Sequence, residues 1–151
     1  MSKSNKRIRD NRKPDDTIYS HQIPPVSKMC FGFSHITSNN RYGLKGFGNQ
    51  RDRADAYEDL IERLKDLSSI SATEARDRGK QLGLEKIPYS MCSTSLQQIC
   101  DISGIVSKDS KLTIFRFYQS NYRLICKDDI NHPNIMHILA FDFDISAYSH
   151  G

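Results

Sequence analysis

Residues 111–143 read KLTIFRFYQSNYRLICKDDINHPNIMHILAFDF, and the reading of this stretch decides the fold. Residues 111–118, 122–127 and 135–143 are rich in β-branched and aromatic side chains, which suit a pleated, packed surface. Gln119, Ser120 and Asn121 supply a three-residue hairpin connection, and residues 128–134, with Pro133, a longer loop. Three strands joined in this way form an antiparallel meander. Alternation then assigns the faces. Leu112, Ile114, Arg116 and Tyr118 oppose Thr113, Phe115 and Phe117. Tyr122, Leu124 and Cys126 oppose Arg123, Ile125 and Lys127. His137, Leu139, Phe141 and Phe143 oppose Met136, Ile138, Ala140, Asp142 and Asp144.

Upstream of the meander the period is helical. Ala54, Tyr57, Leu60, Ile61, Leu64 and Leu67 recur at three- and four-residue steps, predicting a helix over about 51–67 with a charged outer face. Ser71-Ala-Thr-Glu74 spells a capping box, so a second helix should run over about 72–82 and stop at Gly83. Ser93 or Thr94 can cap a third, through Leu96, Ile99, Cys100 and Ile102, ending at Gly104. Pro88 ends any continuation between them. Residues 29–36 (MCFGFSHI) alternate well enough for a strand, with Phe31 and Phe33 on one face. Residues 38–48 are rich in glycine and asparagine, hence turns, and residues 42–44 offer a short strand. Helices followed by a meander give an α+β, two-layer domain over 29–151.

Residues 1–28 read differently. They lack apolar periodicity, contain Pro14, Pro24 and Pro25, and are expected to form an extended or disordered arm. The chain of 151 residues carries 22 basic and 18 acidic side chains, a net charge of +4. Six of those bases and one acid fall in residues 1–14, so that stretch holds +5 and the remaining 16 bases and 17 acids sum to −1. An electrostatic role with nucleic acid must therefore start from the arm (Lys6, Arg7, Arg9, Arg12) and from local clusters, not from the body as a whole.

Composition excludes several classes. With 37% hydrophobic and 26% charged residues, the chain is neither collagenous nor wholly disordered. No run reaches the length of a membrane helix, and no signal-peptide core is present, so a cytoplasmic protein is expected. Four cysteines without CxxC spacing read as reduced thiols, since each would reach a zinc ion from a separate element. No nucleophile elbow, phosphate loop or dinucleotide-binding spelling occurs, so no cofactor is expected.

The meander and its tail gather the chemistry. Arg116, Arg123, Lys127, Tyr148 and His150 offer guanidinium, ammonium, phenol and imidazole groups. Such a set can clamp a phosphodiester, stabilise its developing charge and move protons to and from a ribose 2′-hydroxyl. The same arginines and lysine can instead pair with acids across strands. Asp142 and Asp144, with His132, His137 and His150 nearby in sequence, form a weaker alternative: a divalent-metal site.

The stretch 111–148, with Tyr122-Arg123-Leu124-Ile125 on one strand, His137-Ile138-Leu139-Ala140-Phe141-Asp142 on the last, and Tyr148 and His150 in the tail, resembles the terminal sheet of small toxins of the RelE/HigB/ParE class. That resemblance implies mRNA cleavage without a metal, usually on the ribosome, countered by a cognate antitoxin. It implies that Arg116, Arg123 and Lys127 bind phosphate while Tyr148 or His150 assists proton transfer. The competing expectation is a non-catalytic module, an inhibitor, immunity or accessory subunit, that binds another protein.

Overall fold

The computed structural model describes residues 27–149. The arm with Lys6, Arg7, Arg9 and Arg12, and His150 in the tail, lie outside them. The order of elements is β1 (Cys30–Gly32), a 3-10 turn (Leu44–Asn49), α1 (Arg53–Leu67), α2 (Ala72–Arg78), β2 (Leu84–Pro88), α3 (Thr94–Ser103), β3 (Lys111–Phe117), β4 (Tyr122–Asp128) and β5 (Ile135–Asp142). The strands form one sheet in the order β1-β5-β4-β3-β2. All neighbours are antiparallel except β1, which runs parallel to β5. The class is α+β, and no helix among the described residues is long and apolar enough to cross a membrane.

The sheet is covered on both faces, where the sequence suggested two layers. On one side Leu60, Leu64 and Leu67 of α1 and Ala72 and Ala75 of α2 pack against Phe115, Leu124, Ile138 and Phe141. On the other, Leu96, Ile99 and Cys100 of α3 pack against Leu112, Ile114, Ile125 and Leu139. The cause lies in the strands themselves. Their centres are buried at every position, as at Leu112-Thr113-Ile114-Phe115, and a strand apolar on both sides needs cover on both.

The caps behave as spelled. Ser71 Oγ accepts the Glu74 N–H at 3.0 Å and Ser93 Oγ accepts that of Leu96 at 3.2 Å. Glu74 does not reach back but pairs with Arg78 one turn on. Gly104 closes α3 in the left-handed conformation at φ 72°, whereas α2 ends at Arg78, short of the expected 82, and a 3-10 turn over Gly79–Leu82 carries the chain to Gly83 at φ 62°.

Five further expectations need correction. First, β2 was hidden: Pro88 stops a helix, but it also ends an edge strand, where its missing N–H costs nothing. Second, residues 42–44 form no strand; the chain turns there into the 3-10 segment that buries Phe47. Third, β1 is only three residues long, and Phe33 beyond it is exposed. Fourth, the buried stripe of α1 is narrower than the apolar one, because Ile61 is 61% exposed and Tyr57 40%, while Ile102 of α3 also faces outward. Fifth, the alternation of β5 breaks. Ile125 faces Ala140 but Cys126 faces Ile138, so Leu139 is an extra residue in β5. Its carbonyl is taken by the Thr37 N–H at 2.8 Å. This bulge puts Leu139 and Ala140 on the α3 side together, and it brings Asp142 onto the face of Arg123 while Phe141 stays with the opposite core.

The loop before β5 gives a measurable pH signature. Asp129 accepts the N–H groups of Asn131 and His132 at 2.9 and 3.0 Å and meets His137 Nε2 at 2.9 Å. The His137 bond first, then the backbone bonds, hold its carboxyl down from an ordinary 3.8 to about 2. A carboxyl depressed in the folded state stabilises it above the unfolded value, and that contribution disappears as pH falls from about 4 toward 2. Urea midpoints measured from pH 6 to 2 should therefore fall less steeply for Asp129→Asn than for the parent. Equal slopes would remove Asp129 from the acid response.

Candidate active site

The β3–β4 hairpin and β2 build the site at one end of the sheet. The hairpin turns through three consecutive non-glycine residues with positive φ: Tyr118, Gln119 and Ser120 at 49°, 53° and 64°. Each such residue is strained, and the surroundings hold them: Asp59 of α1 accepts the Tyr118 N–H, and Arg123 Nη1 donates to the Ser120 carbonyl at 2.6 Å. In register, Arg116 stands opposite Arg123, and Arg123 opposite Asp142. Two guanidinium groups side by side on one sheet face repel unless something neutralises them.

Glu85 of β2 does so. Its Oε1 accepts Arg116 Nε at 2.9 Å and also Nη2, a fork of two charge-assisted bonds. Its Oε2 accepts the Tyr148 hydroxyl at 3.4 Å. Burial pushes the Glu85 carboxyl up, but the bonds and charge of Arg116, the charge of Arg123 and the Tyr148 hydroxyl outweigh it and leave it below its ordinary value. Burial and the Glu85 charge push the Tyr148 phenol up, against the Arg123 guanidinium. At neutral pH the site thus pairs an ionised carboxylate with a protonated phenol.

Gly83, Glu85, Arg116 and Tyr148 line an open cleft of about 540 Å³, together with Lys80, Ile87 and Met91. Tyr148 reaches it because the tail runs beside residues 91–93. Ser93 donates to the Ala147 carbonyl at 2.7 Å, and Ser149 to that of Met91 at 3.0 Å. Gly83 is needed where it stands. A Cβ there would come within 3.0 Å of the Arg116 Cβ, and φ is 62°. Gly83→Ala should cost roughly 1–2 kcal/mol from the left-handed backbone alone, readable as a lower urea midpoint. An unchanged midpoint would mean that the turn is free to shift.

Among the described residues singled out from sequence, the structure brings Arg116, Arg123 and Tyr148 together and places Lys127 apart. Arg123 is only 5% exposed, bonded to the carbonyls of Ser120 and Tyr122, with its Nε buried and unpartnered among the described residues. Lys127 lies at the other end of β4, where it donates to the Asp128 carbonyl at 2.9 Å beside His137. Four strand residues, about 13 Å, separate it from Arg123.

Among the described residues the carboxylates and His137 of the metal alternative are engaged elsewhere. Asp142 is buried and spends its oxygens on backbone N–H groups, Asp144 pairs with Arg41, and His137 pairs with Asp129. Among the described residues no three His, Cys, Asp or Glu side chains are placed to hold a metal ion. No cysteine lines the cleft, although Cys92 pairs with Tyr148 beside it. Burial pushes the thiols of Cys92 and Cys100 up, to about 11 and about 12.

Glu85 and Lys80 are the residues that sequence reading missed. Glu85 belongs to the unrecognised strand, and only the alternation of Glu85 and Ile87 with Leu84 and Lys86 hints at it. Comparison with family models, curated proteins and solved structures finds no match to this chain.

Proposed function

We propose that this protein cleaves RNA at a phosphodiester without a metal ion, and that the cleft of Glu85, Arg116 and Tyr148 is where it does so. One observation carries the reading. Side chains from β2, β3 and the tail, far apart in sequence, converge on one cleft as a guanidinium, a carboxylate and a phenol, with the buried guanidinium of Arg123 on β4 opposite Arg116. Glu85 is suited to take the 2′-hydroxyl proton as the ribose oxygen attacks phosphorus. The new bond joins O2′ to phosphorus and the old one to O5′ breaks, leaving a 2′,3′-cyclic phosphate. Tyr148 supplies the proton that the departing O5′ requires, and Arg116, with Arg123 behind it, opposes the charge on the phosphoryl oxygens. The toxin-like resemblance of residues 111–148 supports the same chemistry and adds an antitoxin as the expected partner. The basic residues Lys6, Arg7, Arg9 and Arg12 would supply further phosphate contacts.

The test is direct. Purified protein is incubated with single-stranded RNA, with and without translating ribosomes and in the presence of EDTA. Products should end in 2′,3′-cyclic phosphate, and induced expression should arrest bacterial growth. Intact RNA in both settings, with no arrest, refutes the reading.

A second reading is favoured by a different surface. Leu44 of the 3-10 segment and Tyr57 and Ile61 of α1 are exposed, and the Tyr57 hydroxyl donates to the Leu44 carbonyl at 3.4 Å. Such a ridge suits a protein-binding module that has no catalysis at all. Unchanged RNA together with loss of partner binding in Ile61→Asp would favour it.

A further inference from the structure

We infer that Asp142 is a positioning residue for Tyr148: its buried carboxylate folds the turn 143–147 and so sets the phenol against Glu85. The catalytic consequence rests on the function proposed above; the positioning itself does not.

Asp142 closes β5 and is fully buried. A carboxylate in that setting is costly unless its lone pairs are met. Here they are met by the backbone of the turn it precedes. Oδ1 accepts the N–H groups of Asp144 and Ser146, each at 3.2 Å, and Oδ2 accepts that of Ala147 at 3.0 Å. The turn has one strained residue, Ile145 at φ 59°. Its outer side is held separately: Arg41 Nη2 donates to Asp144 and, at 3.0 Å, to Ser146 Oγ, which also meets the Tyr42 hydroxyl at 2.8 Å. The chain then passes directly into the two backbone bonds that flank Tyr148, from Ser93 to Ala147 and from Ser149 to Met91.

The carboxylate therefore acts as the hub of the turn, and Tyr148 is the first side chain beyond it that lines the cleft. The bulge at Leu139 is what makes this possible. It places Asp142 on the face shared by Arg116 and Arg123, so the hub and the site are built on the same side of the sheet. An asparagine cannot replace the carboxylate. It keeps one acceptor oxygen, and its NH₂ group would confront whichever backbone N–H lost its acceptor.

The test uses the full chain and two readouts. In the first, Asp142→Asn and Tyr148→Phe are made singly and together. Asp142→Asn should lower kcat by up to about 10²-fold with KM little changed, and should add nothing in the Tyr148→Phe background. Multiplying effects would mean that Asp142 does not act through Tyr148, and would overturn the inference. The second readout needs no activity. With ¹³Cζ-labelled tyrosine, the Tyr148 resonance, assigned by its loss in Tyr148→Phe, should move in Asp142→Asn. The Ser146 and Ala147 amides should exchange at least tenfold faster, while Ile114 and Ile125 in the sheet keep their protection. An unmoved Tyr148 resonance with protected turn amides overturns the proposal. Should Asp142→Asn fail to fold, Arg41→Ala loosens the same turn from its exposed side. It should move the Tyr148 resonance too, and no movement there counts against the inference. If the parent chain leaves RNA intact, the proposed function falls, and the resonance and exchange data still decide the role of Asp142.

Discussion

Glu85→Gln is expected to lower RNA cleavage by about 10²–10³-fold while the protein stays folded, the loss typical of removing a general base. Glutamine keeps an acceptor oxygen for the Arg116 fork and nearly the same volume, so the geometry around Arg116 and Tyr148 is retained. What it loses is the ability to take a proton. The pair with Arg116 is partly exposed, with side chains 40% and 25% accessible, so its charge contributes at most about 1 kcal/mol to stability. Activity and stability are therefore separable at this residue. Cleavage should also follow the ionised form of Glu85. The carboxyl lies below its ordinary 4.5, so the rate should hold through mildly acidic pH and fall only below that value. Single-turnover assays across pH with the parent and Glu85→Gln read both effects. Activity in the variant within threefold of the parent would show that Glu85 only orients Arg116, and the base would have to be sought elsewhere.

The meander was readable from sequence because its three strands are long, apolar and separated by turn residues. All three are present over nearly the expected spans. Three helix ends were readable too, since Ser71, Ser93 and Gly104 act through local geometry that does not depend on the rest of the fold, while α2 ends at Arg78 and Gly83 closes only the 3-10 turn that follows. What sequence did not reveal is non-local. The bulge at Leu139 has no composition signal, yet it reverses the facing of every later residue in β5. β2 is short, half polar and ends in proline, so it is recognised only by its pairing with β3. The site inherits both gaps. Arg116, Arg123 and Tyr148 could be nominated individually as polar groups on strands or tail. Their partner Glu85 depends on contacts with Arg116 and Tyr148 across 31 and 63 residues of chain, and the anchoring of the tail by Asp142 depends on the facing that the bulge sets.

Phe47→Ala should be the most damaging single truncation on the α1 side, costing about 3–5 kcal/mol. The residue lies in the 3-10 segment Leu44–Asn49, whose own backbone bonds are few, so side-chain packing must hold it. Phe47 is fully buried and stacks on Tyr57 at a centroid distance of 4.1 Å. Phe143 and Phe141 meet it edge-on at 4.8 and 5.1 Å, and Phe117 lies at 6.3 Å. Such aromatic pairs add about 0.5–1.5 kcal/mol each beyond the area they bury. The neighbouring Gly46 leaves no room for compensation, because a Cβ there would sit 2.4 Å from the Arg41 carbonyl and 2.6 Å from the Phe143 ring. Domains have total stabilities of roughly 5–15 kcal/mol, so this loss should leave the variant marginal and lower Tm by about 6–20 °C. Thermal and urea unfolding measure it, and a change under 1 kcal/mol would mean that the segment is not packed on the sheet. The consequence extends to the site. Phe143 is the first residue of the turn that Asp142 organises, and it rests on Phe47 and Tyr122. Phe47→Leu, which retains most of the volume, should therefore keep the turn amides of Ser146 and Ala147 protected at a temperature where Phe47→Ala has already released them.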